Sequence, residues 1–279
     1  MVLRHHKKPK QIGCHQRMYL EANNKEIFAY TGARSHEAGL QSVVFIHGTG
    51  MDHTVWLLPA RFFAHHNFNV LATDLPGHGN SMGPAATSIE QMADEVVAAM
   101  DTAGISSAAV VGHSMGSLVA LSLAAQHPKR ARSLALIGTS VPMSVHNSLL
   151  LNAKKDESAA VDMLTYWGYS KAAHLGGNEN PGIWMLGNTM RLLGRAKSGV
   201  IHIDLDACDN YKNGLKHAES IRCPTLMILG KRDIMTPPRI GAELSQIIKD
   251  SRVVFLEGAG HSLMMERPND VLDELIRIV

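Results

Sequence analysis

Residues 108–116 read Ala-Ala-Val-Val-Gly-His-Ser-Met-Gly, and the stretch that follows, Ser117 to Gln126, is rich in Ala and Leu. An apolar run, a tight Gly-x-Ser-x-Gly turn and a helical pattern predict strand, turn and helix, the arrangement of a nucleophile elbow. A serine at the sharpest point of such a turn sits in a strained backbone conformation. The residues two positions either side must be small, because a Cβ there would strike the adjacent strand or helix; Gly112 and Gly116 meet that need. Ser114 Oγ then lies at the start of a helix, where unpaired amides and the helix dipole favour developing negative charge. With 24 glycines in the chain the pentapeptide can arise by chance, so its placement and its partners must decide.

Working outward, strands and helices alternate on both sides of this elbow. Residues 18–22 and 25–31 read as short strands joined by Asn23-Asn24, a turn pair that tolerates positive φ. Ser42–Ile46 and Val70–Thr73 are brief apolar strands, each running into a loop dense in turn formers. Val55–His66 and Ser88–Thr102 read as helices, the second with Ser88 as N-cap and Gln91 three residues on. Ser133–Ile137 is the strand after the elbow helix. The rhythm resumes with strands Pro224–Leu229 and Arg252–Leu256, each followed by a helix, Pro238–Ile248 and Arg267–Val279. This is the pattern of an α/β fold with a mostly parallel sheet covered on both faces.

Between the two blocks, residues 141–216, the alternation stops. The helix-compatible pieces Asn147–Lys155, Ser158–Trp167 and Ile183–Leu193 are separated by Gly/Asn/Pro punctuation, most densely over residues 176–182. The expectation is a core domain of residues 1–140 and 217–279, with 141–216 inserted as a helical cap over the strand ends. This segment is rich in aromatic residues and Met, the usual mark of core. Packed on a site, part of it would line an apolar pocket, and Trp167, Trp184 and Met185 are the candidates.

Bulk properties exclude several classes. The chain has 279 residues, 45% apolar and 19% charged, which suits one sizeable globular α/β domain. Net charge is +2, but Arg4, Lys7, Lys8 and Lys10 crowd the first ten residues with no acid among them. Without that tail 23 basic residues face 25 acidic ones, so no nucleic-acid face is expected and the tail reads as a solvated terminus. Three cysteines, Cys14, Cys208 and Cys223, cannot all pair and show no Cys-x-x-Cys spacing. No signal-like apolar segment and no membrane-length run is present. The expectation is a soluble cytoplasmic protein, with no membrane partner and with its oligomeric state open.

A serine hydroxyl needs a base to take its proton. Among 16 histidines position selects His261, in Gly260-His261-Ser262 just after the strand Arg252–Leu256. That strand end lies on the sheet edge that also carries Ser114. Its flanking glycine allows a mobile loop. An acid on a neighbouring strand end should orient the imidazole, and Asp233, after Leu229-Gly230-Lys231-Arg232, is placed for it. The order Ser, Asp, His is the order expected with this elbow. Developing oxyanion charge needs preorganised donors. The Met115 backbone N–H is one, and the His47-Gly48-Thr49-Gly50 loop supplies the other, from Thr49 or, failing that, Gly50. His47 reads as the residue that holds this loop.

Taken together, His47-Gly48-Thr49-Gly50, Asp74-Leu75-Pro76-Gly77-His78-Gly79-Asn80-Ser81, Gly112-His113-Ser114-Met115-Gly116, Gly230-Lys231-Arg232-Asp233 and Gly260-His261 resemble the successive motifs of the α/β-hydrolase fold family. The resemblance covers about residues 18–140 and 215–279. It implies an eight-stranded, mostly parallel sheet with a lid inserted after the sixth strand, no metal and no organic cofactor, and a framework role for Asp74. Relatives of this fold that dehalogenate or open epoxides carry an aspartate where this chain has Ser114, which argues against those activities.

The expected activity is hydrolysis of a small to medium carboxylic ester, a small-molecule substrate, through an acyl-Ser114 intermediate. Long aliphatic runs of the kind found in lipase lids are absent. The alternatives are carbon–carbon bond hydrolysis, enol-lactone opening or thioester cleavage by the same residues, or ligand binding without turnover. An acidic substrate would call for a cation in the pocket, with Arg191 and Arg195 as candidates.

Overall fold

The computed structural model describes residues 17–156, 158–177, 179 and 182–279; the basic tail and Cys14 lie outside them. Eight strands form one sheet: β1 (Arg17–Ala22), β2 (Lys25–Tyr30), β3 (Gln41–Ile46), β4 (Phe68–Thr73), β5 (Ala108–His113), β6 (Ala131–Ile137), β7 (Thr225–Gly230) and β8 (Ser251–Leu256). Their order is β1-β2-β4-β3-β5-β6-β7-β8. β1 and β2 pair antiparallel, as do β2 and β4. Every pair from β4 to β8 is parallel. The Asn23-Asn24 turn joins β1 to β2 with both residues at positive φ, 50° and 60°.

Alternate residues of the central strands face opposite layers, and both faces are dry. Val44, Ile46, Val110, Leu134, Leu136 and Met227 pack with Met92 and Val96 of α2 (Ile89–Thr102) and Leu118 and Val119 of α3 (Met115–Gln126). Val43, Phe45, Ala109, Val111, Ile137 and Ile228 pack with Phe63 of α1 (Leu57–His65) and Leu275 at the C-terminal helix Pro268–Ile276. Strands wetted on neither face read as unbroken apolar runs, and that is why these were legible as strands. Ser88 caps α2 through the Gln91 amide at 3.2 Å, while the Gln91 side chain turns back to the Thr87 amide at 3.1 Å.

Between β6 and β7 the described residues form six helices: α4 (Asn147–Lys154), α5 (Ser158–Trp167), α6 (Lys171–His174), α7 (Met185–Leu193), α8 (Val200–Asp209) and α9 (Gly214–Ser220). Leu149, Leu164, Leu193, Ile201 and Leu205 from four of them form a separate apolar cluster. α6, α8 and α9 carry no clear helical signal in the sequence. α8 begins Val-Ile-His-Ile, weak helix formers whose cost is met by packing. No helix among the described residues is long and apolar enough to cross a membrane.

Candidate active site

Ser114 leaves β5 at φ +53° and ψ −124°, a conformation that costs a non-glycine residue about 1–3 kcal/mol. The glycines around it make the turn possible. A Cβ on Gly112 would lie 2.0 Å from the Gly116 carbonyl oxygen, and one on Gly116 would lie 2.3 Å from the Ile46 carbonyl oxygen. The turn is closed by Ser114 N–H donating to the Ile137 carbonyl at 2.9 Å. The hydroxyl-bearing residue is only 8% exposed, at the first turn of α3.

His261 follows β8 and Asp233 follows β7, so both stand at the strand ends that carry Ser114. Asp233 Oδ2 accepts from His261 Nδ1 at 2.8 Å. Its other contacts saturate it: Oδ1 accepts from the Met235 and Thr236 amides at 2.8 and 2.9 Å, and Oδ2 accepts from Thr236 Oγ1 at 2.6 Å. Burial pushes the Asp233 pKa up, but the His261 charge and these hydrogen bonds outweigh it and hold the carboxyl below its ordinary range. His261 Nε2 is buried and has no hydrogen-bond partner among the described residues. Ser114 and His261 line the same cavity, yet no hydrogen bond joins the hydroxyl to Nε2. Such contacts are often loose before substrate arrives.

Hydrogen bonds hold the His261 loop. Gly260 N–H donates to Glu266 Oε1 at 2.9 Å, Ser170 N–H to Glu266 Oε2 at 3.1 Å, and Ser262 N–H to the Gly168 carbonyl at 2.8 Å. Gly260 is needed for close approach, since a Cβ would lie 2.6 Å from Ser170 N. Gly138, at φ +57°, likewise leaves room for the His261 ring, 3.2 Å from where its Cβ would stand. His113 donates from Nε2 to the His261 carbonyl at 2.9 Å, tying the serine turn to the imidazole loop. Burial pushes the His113 pKa down to about 3.

On the other side, Met115 and Thr49 offer backbone amides, and neither is engaged by another described group. Gly50 is different: its N–H donates to Asp204 Oδ2 at 2.8 Å, so it is not free to act in place of Thr49. His47 spans two loops. Nδ1 donates to the Gly48 carbonyl at 2.9 Å while Nε2 accepts the Leu75 amide at 3.1 Å, and burial pushes its pKa down to about 4. Asp74 accepts from the His53 amide, His53 Nδ1 and the Asn80 amide, which fixes the loop after β4. Asp52, His53 and Asp74 bring three potential metal-ligand atoms together. Each of these side chains is already committed, Asp52 to Thr54 and Arg195 and the other two to each other.

The cavity above Ser114 has a volume of about 140 Å³. Met143, Leu149, Leu164, Trp167, Leu193 and Leu205 make its wall apolar. Trp167 stands there as expected of a pocket residue; Trp184 and Met185 do not. Trp184 is 72% exposed, with its ring lying over Gly187 of its own helix, and lines a different cleft. Met185 is buried with Tyr169, Ala173 and Leu186. Helix phase is the reason: α7 turns Leu193 and Thr189 toward the cavity, and its first residues lie elsewhere. Leu164, three residues before Trp167 on α5, was findable from helical spacing. Thr236 and Asp204 were not, because nothing local in the sequence marks their partners. No Arg or Lys lines this cavity among the described residues. Arg191 and Arg195 border a neighbouring cleft, and Arg195 pairs with Asp52 at 2.8 Å.

Comparison with known proteins gives one consistent answer. A model of the α/β hydrolase fold matches residues 41–268. The pimeloyl-[acyl-carrier protein] methyl ester esterase of Neisseria meningitidis serogroup A is 31% identical over 238 residues, covering 82% of this chain and 73% of the relative. The putative carbamate hydrolase RutD of Escherichia coli is 28% identical over 241 residues, covering 81% and 86%. Among solved structures, the enol-lactonase of Burkholderia xenovorans superposes with a TM-score of 0.83 at 25% identity, covering 93% of this chain and 98% of that one.

Proposed function

This chain belongs to the α/β hydrolase fold family, and from that premise we propose that it is a serine hydrolase cleaving a small to medium carboxylic ester through an acyl-Ser114 intermediate. At the coarser level it is a hydrolase of ester-like bonds, the class to which its named relatives belong. His261 takes the Ser114 proton through Nε2 as general base and returns it to the leaving alkoxide as general acid. Asp233 fixes the Nδ1–H tautomer and stabilises the imidazolium. The Thr49 and Met115 amides receive the oxyanion. Residues 141–216 form the cap over this site and select the acyl group; the substrate is a small molecule. Free Cys208 and Cys223 fit a cytoplasmic setting.

One observation carries the reading. The Asp233–His261 pair leaves Nε2 buried and without a partner among the described residues, and His261 and Ser114 line one cavity. A buried nitrogen without a partner costs free energy unless a substrate or a hydroxyl is to use it. A fluorophosphonate probe is expected to label the wild-type protein and to leave Ser114→Ala unlabelled; equal labelling of both would overturn the assignment.

Enol-lactone opening is the second reading, favoured by the superposition on the lactonase. The apolar cavity wall, with its cations outside, supports a neutral ester over an acidic lactone or a carbon–carbon substrate. Turnover of p-nitrophenyl acyl esters set against an acidic enol-lactone separates the two.

A further inference from the structure

α8 reaches into the core at a point that the chemistry described so far does not use. Asp204, on that helix, is fully buried. Its Oδ2 accepts two hydrogen bonds, from Gly50 N–H at 2.8 Å and from His78 Nε2 at 2.9 Å. The other ring nitrogen of His78, Nδ1, faces the Pro76 carbonyl at 3.1 Å. Both partners of the ring offer acceptor oxygens, which favours a proton on each nitrogen, and the Asp204 carboxylate raises the His78 pKa above its ordinary value against the pull of burial. The contact is a buried His78–Asp204 pair that ties two loops, the segments 47–50 and 74–81, to α8 of the insertion.

Two further contacts tie the same insertion to the same loop. Gly50 is at φ +63°, and a Cβ there would lie 2.8 Å from Ile201 Cγ1 and 3.2 Å from Leu193 Cδ2. Cys208, one turn beyond Asp204 on α8, faces the Thr49 side chain. The loop that carries the Thr49 amide is thus gripped from the insertion side at Thr49 and at Gly50.

We propose that Asp204 is a positioning residue: by anchoring the Gly50 N–H it fixes the adjoining peptide plane and with it the direction of the Thr49 amide toward the oxyanion. The inference rests on the reading of Thr49 and Met115 as oxyanion donors. The His78 imidazolium has its own place in it. A lone carboxylate beside those donors would oppose the negative charge that develops on the substrate; paired with His78 it presents no net charge. A buried ion pair is a poor source of stability compared with apolar side chains, and holding one geometry is its best-attested use.

The test compares Asp204→Ala and Asp204→Asn with the wild type and with Ser114→Ala, using a p-nitrophenyl ester for kcat and KM and a trifluoromethyl ketone as a probe of the tetrahedral adduct. Misaiming a donor by about an ångström costs on the order of tenfold to a hundredfold. Asp204→Ala is expected to lose kcat in that range with KM within about threefold, and to bind the ketone more weakly by the same factor. Asp204→Asn, whose amide oxygen can still accept from Gly50, is expected to recover most of both. Should Asp204→Ala not fold, Asp204→Leu combined with His78→Leu removes both charges together and takes the same measurements. Wild-type kcat and ketone affinity in a folded variant without the acceptor, or an effect confined to KM, overturns the inference. Turnover surviving in Ser114→Ala overturns the site itself, whatever residue 204 does, so the two failures are told apart.

Discussion

His113 and His261 are joined by a hydrogen bond from the first ring to the backbone of the second, Nε2 to carbonyl at 2.9 Å, with the ring centroids 4.9 Å apart. The residue before the serine thus holds the loop that carries the imidazole. Replacing His113 by Phe keeps an aromatic body but leaves the His261 carbonyl buried without its donor, a loss of about 1–3 kcal/mol. The variant is expected to unfold at lower urea and to lose kcat several-fold, with complete labelling by the fluorophosphonate. Wild-type kcat in His113→Phe would remove this residue from any part in holding the loop.

Asp233 gives a second expectation. In Asp233→Asn the shape is kept but the charge is gone and the amide can favour the wrong imidazole tautomer. In the Ser-His-Asp proteases that change costs about 10⁴ in kcat. A loss of at least about 10³ is expected here, with KM little changed. Loss of less than tenfold would mean that another group orients His261.

Thr236 supplies two of the bonds on that carboxylate, and Thr236→Val removes the Oγ1 donor at 2.6 Å from Oδ2 together with the 3.1 Å contact of Oγ1 with His261 Nδ1. The Asp233 pKa should rise in the variant. A carboxyl held below its ordinary value contributes stability that is present above that value and lost as pH falls through the folded one. Thr236→Val is therefore expected to unfold at a higher pH in acid titration than the wild type. Superimposable acid titrations would count against the bond.

Two buried histidines set a different pH limit. His47 and His113 have pKa values pushed down from 6.5 to about 4 and about 3, mainly by burial. The unfolded chain takes up their protons first, so stability falls as pH drops below about 6.5 and goes on falling toward the folded values. At pH 5 each costs roughly 2 kcal/mol relative to pH 8. His78 runs the other way. Burial pushes its pKa down, but Asp204 outweighs this and raises it, so its contribution is full at low pH and lost as pH rises through its folded value. Asp74 and Asp233 lose theirs only below the ordinary carboxyl range. Urea unfolding at pH 8 and pH 5 of the wild type and of His113→Phe, which removes one of the two groups, separates this loss from that of His78; the same shift between the two pH values in both proteins would contradict the neutral state of His113.

The order of strands and helices in the core was legible because each buried strand is an apolar run and each turn carries Gly, Asn or Pro. Ser114, His261 and Asp233 were legible as candidates because the chain reaches one sheet edge three times and leaves a polar side chain at each. The inserted helices were harder. Their faces are set by what they land on, so Trp184 and Met185 looked as eligible for the pocket as Trp167. Gly260 looked like a hinge, and only its distance from Ser170 and Glu266 shows it as a point of close packing. Asp204 sits in a sequence of weak helix formers, 126 residues from His78 and 154 from Gly50. Contacts over such separations leave no trace in local pattern.

The reach of α8 onto Gly50 bears on anyone who hopes to exchange substrate range by transplanting the inserted helices between homologous enzymes. Such a chimera would carry Asp204 away from its histidine and its glycine, or set a foreign side chain against them. A working graft has to move the aspartate together with residues 47–50 and 74–81, so the exchangeable module is larger than the stretch between the sixth and seventh strands.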